Sequence, residues 1–313
     1  MPASKKNRLK AAVIQTGSVL FDAPASLQKA DRWIRRAAAR GAGLVVMPEA
    51  FIPGYPRGMS FGAVIGKRHR WGREQYRQYY RNSLSLDGPE IRGLKKLAAE
   101  LKIFLALGIS EREETVHKSL YCTLLYIGPR GTILGRHRKI KPTATERTIW
   151  GEGNSHLFPV ISTPAGRMGG LICWENHMPL ARMALYRQGI DIYLAPTADC
   201  RPSWQHTLRH IARESRCYVL GANQWITAKD LPRELINQTG VSPEDRTCTG
   251  GSVILSPLGE ILAGPLTDGE GILTATLDPD QVIRARFDFD PAGHYQRPDL
   301  FSFSWKTGAT DGP

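Results

Sequence analysis

Three residues of this chain stand where strands end and carry side chains that could do covalent chemistry together: Glu49, Lys139 and Cys173. Glu49 follows the apolar run Val45-Val46-Met47-Pro48. Lys139 sits in Gly135-Arg136-His137-Arg138-Lys139-Ile140-Lys141-Pro142-Thr143, and Cys173 in Gly169-Gly170-Leu171-Ile172-Cys173-Trp174-Glu175-Asn176. A thiol is a poor nucleophile until it becomes thiolate. A neighbouring carboxylate can take its proton, and an ammonium can steady the negative charge that develops on the attacked group. The order strand, cysteine, helix has the form of a nucleophile elbow, with Gly169 and Gly170 allowing close backbone packing just before it. Taken singly, each residue is ordinary. A cysteine at a strand end is usually a small buried hydrophobe, a glutamate there is usually solvated, and a lysine in a basic run usually lies on the surface. Their weight comes from occurring together at strand ends, where open α/β sheets gather their ligands.

The elements that would position them alternate between strand and helix. Arg8 to Thr16 reads as a buried strand. Asp22 then caps a helix with Pro24 in its first turn and Leu27, Ala30, Trp33, Ile34 and Ala37 at helical spacing. Leu44 to Met47 is a short strand. The stretch from Phe51 to about Lys67 is rich in glycine and proline yet carries Phe51, Tyr55 and Phe61, so an ordered, site-forming loop is expected. Asp87-Gly88-Pro89 opens a second helix, and Ile103 to Ile109, Leu120 to Ile127 and Ile133 to Arg136 read as strands. The second half repeats this rhythm. Strands are expected at Met168 to Ile172, Ile190 to Ala195, Tyr218 to Asn223, Gly251 to Ser256, Glu260 to Ala263 and Gly271 to Leu277. Helices are expected from Pro179 to Gln188, from Trp204 to Glu214 and from Pro279 to Arg286. A polar loop runs to Thr249, and residues 302–313 read as a tail. The class is α/β. No linker, charge block or strong repeat divides residues 1–313, so one domain of two halves, each with its own sheet, is expected.

Composition excludes several classes. The 313 residues are 42% hydrophobic and 23% charged, as in an ordinary globular protein. The formal charge of +13 raises the question of nucleic acid or an acidic surface. The basic groups Lys5, Lys6, Arg8, Lys10 and Lys67, Arg68, Arg70, Arg73 match no nucleic-acid motif, so a solvated basic surface is expected, with neither nucleic acid nor membrane as partner. The cysteines (Cys122, Cys173, Cys200, Cys217 and Cys248) are odd in number and far apart, without metal-ligand spacing. Free thiols in a reducing compartment follow. No apolar run approaches the roughly 18 residues that span a bilayer. A cytoplasmic protein is expected.

The three segments around Glu49, Lys139 and Cys173 resemble the Glu, Lys and Cys motifs of the nitrilase superfamily. Cys173-Trp174-Glu175-Asn176-His177-Met178-Pro179-Leu180 resembles the nucleophile motif of its true nitrilase branch, where amidase branches usually lack Cys-Trp-Glu. Pro48-Glu49-Ala50-Phe51-Ile52-Pro53-Gly54-Tyr55-Pro56-Arg57-Gly58, Pro142-Thr143-Ala144-Thr145-Glu146-Arg147, Trp150-Gly151-Glu152-Gly153 and Gly293-His294-Tyr295-Gln296-Arg297-Pro298-Asp299 are similar to further motifs of the branch. The likeness runs from about Arg8 to Phe301. It implies a four-layer α-β-β-α sandwich and no metal or organic cofactor. It implies that Glu49 is the general base and acid, Lys139 the stabiliser of tetrahedral species, Cys173 the nucleophile, and Glu146 a second glutamate orienting the lysine and the water. Nitrile would then pass through a Cys173 thioimidate and thioester to acid and ammonia, with amide as a by-product. The family also implies a homodimer that grows into a larger homo-oligomer or spiral.

Other positions stay open on the sequence. Tyr55 and Trp174 either line the substrate pocket or belong to the core. Thr197, in Pro196-Thr197-Ala198-Asp199, follows a strand and should face the site, with a substrate-binding role. Glu175 reads as a structural ion-pair partner, His137 and His177 as structural, and Cys122, Cys200, Cys217 and Cys248 as structural or bystander thiols. Asn154 stands where some family members have Asp, which bears on a local hydrogen bond. Two rivals remain: an amidase or carbamoylase of the same superfamily, and a non-catalytic basic binding module. The Phe51 to Phe61 segment resembles plant-type and arylacetonitrile-type nitrilases, which points to arylacetonitriles or medium-sized aliphatic nitriles.

Overall fold

A computed structural model of the protein describes residues 7–114, 118–153, 158–227, 230 and 247–306. Asn154 and most of the polar loop before Thr249 lie outside the described residues, as do Lys5, Lys6 and the end of the tail. In the first half, β1 (Leu9–Gln15) leads to α1 (Ala23–Ala39), whose cap is Asp22: its carboxylate accepts from Ala25 N at 2.9 Å. There follow β2 (Leu44–Val46), a small hairpin of β3 (Ala63–Val64) and β4 (Lys67–Arg68), α2 (Arg70–Asn82), α3 (Pro89–Leu101), β5 (Phe104–Arg112), β6 (Leu120–Ile127) and β7 (Ile133–Arg138). The second half runs β8 (Ile161–Thr163), β9 (Gly166–Gly170), α4 (Pro179–Tyr186), β10 (Ile192–Leu194), α5 (Ser203–Ser215), β11 (Tyr218–Gly221), a hairpin of β12 (Trp225–Ile226) and β13 (Cys248–Thr249), β14 (Ser252–Leu255), β15 (Ile261–Leu266), β16 (Gly271–Leu277) and α6 (Pro279–Ala285).

The strands form two six-stranded sheets, ordered β16-β1-β2-β5-β6-β7 and β15-β14-β11-β10-β9-β8. The first is not built from the first half alone. β16 returns from the far end of the sequence and pairs antiparallel with the whole of β1, Leu9 opposite Leu277 and Gln15 opposite Gly271. Without it β1 would present an unpaired edge of apolar residues, which invites association.

Alternation along the strands builds four layers. Ala11, Val13, Leu44, Val46 and Leu124 face the other sheet and meet Met168, Leu194, Tyr218, Leu220 and Ile254 in a shared core. The opposite faces turn outward. Ala12, Ile14, Val45 and Leu105 pack under α1 and α3 through Ile34, Ala37 and Leu94. Tyr193, Ala195 and Val219 pack under α4 and α5 through Leu185, Leu208 and Ile211. Each fully buried valine, leucine or isoleucine among them contributes roughly 1.5–3 kcal/mol. The result is the expected α-β-β-α sandwich. No helix among the described residues is long and apolar enough to cross a membrane.

Further features differ from the sequence reading, among them the end of the long loop and the element after it. The Phe51 to Lys67 stretch is an ordered loop ending in the β3–β4 hairpin, and α2 follows it where no helix was anticipated. The buried positions of α2 are Gly72, Gln75 and Tyr79, so its inward face carries no aliphatic stripe to reveal it.

Candidate active site

β2 runs parallel to β1 and β5 and delivers Glu49 just beyond its C-terminal end. The turn that follows places Ala50 in the left-handed region at φ 44°, a conformation that costs a non-glycine residue roughly 1–2 kcal/mol. It is held because β5 crosses close behind: a Cβ on Gly108 would sit 2.2 Å from Pro48 O and 2.7 Å from Glu49 Cα. Glu49 is fully buried. Its Oε1 accepts from Lys139 Nζ at 2.7 Å and its Oε2 from the Ala198 amide at 3.0 Å. Gln224 Nε2 fixes its backbone by donating to Glu49 O at 2.7 Å.

β7 runs in the same sense as β2 and delivers Lys139 to the same end of the sheet. Gly153 lies against this strand end. Its amide donates to Lys139 O at 2.8 Å, and a Cβ there would reach 2.3 Å from Arg138 O. The spacing of Trp150-Gly151-Glu152-Gly153 thus serves close approach behind the lysine. Lys139 Nζ also donates to Glu146 Oε2 at 2.7 Å. Glu146 lies in the 3-10 helix Ala144–Thr148. Its Oε2 accepts from the Thr143 amide at 2.7 Å and its Oε1 from the Tyr55 hydroxyl at 2.6 Å. Burial pulls the Lys139 ammonium down. Glu49, the Cys173 sulfur and Glu146 outweigh that and hold its pKa well above the ordinary lysine value. Lys139 is therefore a fixed positive charge.

Cys173 stands just past β9, in the second sheet, at the first position of a 3-10 turn and at φ 50°. Its amide donates to Pro196 O at 2.8 Å. Asn176 braces the turn: its Nδ2 donates to Cys173 O at 2.7 Å and Leu171 O at 3.1 Å, while its Oδ1 accepts from Tyr193 OH at 2.7 Å. The Thr197 hydroxyl donates to Cys173 Sγ at 3.1 Å and accepts from the Asp199 amide at 2.9 Å. Burial, then the Glu49 carboxylate, push the thiol up to about 12 against the pull of Lys139 and Thr197. Cys173 is therefore a resting thiol that needs a base at the moment of attack. Burial likewise raises Glu49 above the ordinary carboxylate value, opposed by Lys139 and by the nearby Cys173 thiol. A carboxylate made more basic beside a thiol that must lose a proton is the pairing general-base chemistry requires.

Glu175 lies beneath the site and touches none of these groups. Its Oε2 accepts from Ile172 N at 2.7 Å and lies 2.9 Å from His137 Nε2, and its Oε1 accepts from Ile140 N. It ties the residue before Cys173 to the residue after Lys139, and the structural reading of Glu175 and His137 fits this placement. His177 lies edge-on to both Trp174 and Trp204.

Above the triad opens a cavity of about 340 Å³ lined by Tyr55, Arg57, Cys173, Trp174, Asp199 and Arg201, among others. Trp174 is 40% exposed there. Its Nε1 donates to Asp199 Oδ2 at 2.8 Å, and Arg201 lies over its ring at 4.9 Å. Tyr55 and Trp174 thus both face the cavity, whereas the Thr197 hydroxyl is engaged by the nucleophile itself. Cys122, read from the sequence as a structural or bystander thiol, lies against the catalytic carboxylate: its Sγ is 3.6 Å from Glu49 Oε1. It sits on β6 between the strands that carry Glu49 and Lys139, a neighbourhood set by register across the sheet. The Ala198 amide, Asn176, Gln224 and Arg57, which donates to Ala198 O, were also given no role by the sequence reading. Backbone donors and distant bracing residues leave no pattern in residue type. Among the described residues no three His, Cys, Asp or Glu side chains gather as a metal site.

Residues 10–287 match the carbon–nitrogen hydrolase family. The chain is a carbon–nitrogen hydrolase. This hydrolase is 46% identical over 308 residues to a bifunctional nitrilase/nitrile hydratase of Lupinus angustifolius, covering 97% of this chain and 87% of the relative. It is 47% identical to an aliphatic nitrilase of Sinorhizobium fredii, covering 94% of each, and 45% identical to nitrilase 2 of Arabidopsis thaliana, covering 93% and 87%. In fold it is similar to the Helicobacter pylori carbon–nitrogen hydrolase (TM-score 0.74, 18% identity, 95% and 97% covered) and to Saccharomyces cerevisiae Nit3 (TM-score 0.72, 22% identity, 94% and 100% covered).

Proposed function

We infer that this hydrolase acts on organic nitriles as a nitrilase. The observation that carries the reading is the buried chain Glu49–Lys139–Glu146 beside the buried Cys173, in a chain whose close relatives are named as nitrilases. Glu49 takes the Cys173 proton as sulfur bonds to the nitrile carbon, and the proton passes to the nitrile nitrogen, giving a thioimidate. Lys139 stabilises the charge on that nitrogen. Glu49 next takes a proton from water, which attacks the thioimidate carbon. The tetrahedral species breaks its C–N bond, ammonia leaves and a thioester remains. A second water, placed by Glu49 and Glu146, releases the carboxylic acid. Breaking the C–S bond of the tetrahedral species instead releases an amide. The two activities in the name of the lupin relative are those of these two exits.

A panel of aromatic, arylacetic and aliphatic nitriles, each beside its matching amide, tests the reading. Ammonia, acid and amide are measured. The expected result is turnover of a nitrile, with arylacetic or medium-sized aliphatic members fastest. Faster turnover of the amides would identify an amidase instead.

The oligomer belongs to the same proposal: a homodimer that assembles further. Leu180, Ile283 and Phe287 are 71%, 68% and 88% exposed, apolar surface that a second copy would cover. Light scattering behind size exclusion should give at least twice the mass of one chain, and a monomer at micromolar concentration rejects the dimer. A cytoplasmic location is supported by five cysteines without a disulfide. Fractionation of the source cells checks it.

A further inference from the structure

A second cavity, of about 530 Å³, lies between the β3–β4 hairpin, α2 and the 3-10 helix that bears Glu146. Arg68, Arg73, Arg147 and His69 line it, and no acidic residue does. Among the described residues none of the three arginines belongs to an ion pair. Arg68 donates only to Val64 O and Lys67 O, and Arg147 only to Pro142 O. Phe61 and Tyr76 supply an aromatic wall, their rings edge-to-face with centroids 6.5 Å apart.

Three solvent-exposed guanidinium groups of like charge line one cavity, with no carboxylate among the lining residues. An oxyanion offsets that charge and matches the planar donor fork of arginine. The aromatic wall accommodates an apolar body attached to that oxyanion, as pockets with few polar groups do. We propose that this cavity binds an organic anion, an oxyanion head on an aromatic or other apolar body. The site is separate from the catalytic cavity: Arg147 lines this one, while its neighbour Glu146 lines the catalytic cavity and holds Lys139. Arg147 and Thr148 form one wall and the hairpin with α2 forms the other. A bound anion therefore clamps the 3-10 helix from outside the active site.

The test is calorimetric titration of the full chain with phenyl phosphate, phenylacetate and inorganic phosphate at low salt. No turnover is involved, and phenyl phosphate is neither a nitrile nor the acid product of one, so its binding is independent of whether nitriles are the substrate. Both aromatic anions should bind more tightly than inorganic phosphate, and their order names the preferred head group. Arg73→Ala and Arg147→Ala should each weaken binding about tenfold, or about 1.4 kcal/mol. Arg57→Ala, in the catalytic cavity, should leave it unchanged. Amide hydrogen exchange of residues 144–149 should slow when the anion is bound. Absence of binding overturns the proposal. So do unchanged affinity in both cavity variants, loss of affinity confined to Arg57→Ala, inorganic phosphate binding as tightly as the aromatic anions, or unchanged exchange at residues 144–149.

Discussion

The Thr197 hydroxyl donates to the Cys173 sulfur across 3.1 Å, from the strand end next to the one that presents the cysteine. A hydrogen bond to sulfur strengthens as the sulfur gains charge, so it favours the thiolate-like state that attacks. Thr197→Val should lower kcat/KM about ten- to a hundredfold, the loss of one hydrogen bond to a charged group. Thr197→Ser should keep most of the rate. Steady-state kinetics on one nitrile decide it, and a valine variant with the parent rate would remove Thr197 from the reaction.

Cys173→Ala should end all turnover without unfolding the chain. The side chain is small, and the amide bond of residue 173 to Pro196 O does not depend on it. Circular dichroism should match the parent while ammonia release falls to the uncatalysed level. Substantial remaining activity would reassign the nucleophile.

Lys139 stands between two carboxylates, and replacing it with methionine leaves both without their cation. Breaking a buried ion pair from one side costs about 3–5 kcal/mol. Lys139→Met should therefore lower the midpoint of urea unfolding as well as abolish activity. Lys139→Met in combination with Glu49→Gln should recover part of the stability and none of the activity. A single variant as stable as the parent would show that the lysine is neutral in the folded protein.

The pH profile follows from the directions of the shifts. Glu49 must be ionised to act as base, and its pKa is raised by burial, so kcat/KM should fall with acid at a pH above the ordinary carboxylate range. Cys173, pushed up to about 12, and Lys139, held well above the ordinary lysine value, supply no alkaline limb below pH 9. Cys122, 3.6 Å from Glu49 Oε1, favours the ionised carboxylate. Cys122→Ala should move the acid limb to higher pH while leaving the plateau in place. An acid limb that stays put would leave Cys122 a packing residue.

Much of this site is legible in the sequence, because a nucleophile, a base and a cation each occupy a short segment with its own residue pattern. Glu49, Lys139 and Cys173 follow strands legible in the sequence, Glu146 is marked by the family resemblance alone, and the structure brings the four together. What escapes is of another kind. Cys122 faces Glu49 through strand register, and the Ala198 amide is a backbone group that any residue supplies. α2 hides because its buried face is Gly72, Gln75 and Tyr79. The return of β16 to pair with β1 joins residues more than 250 apart, a pairing that no local pattern encodes.

Glu49 and Lys139 hang from one sheet, Cys173 and Thr197 from the other. Neither sheet holds a complete reagent: one carries the base and the cation without the nucleophile, the other the nucleophile without its base. The enzyme is thus silent until its two layers have docked. Turnover of even a single substrate molecule reports that the whole sandwich has closed, so a rate assay during refolding times the final meeting of the sheets and no earlier event.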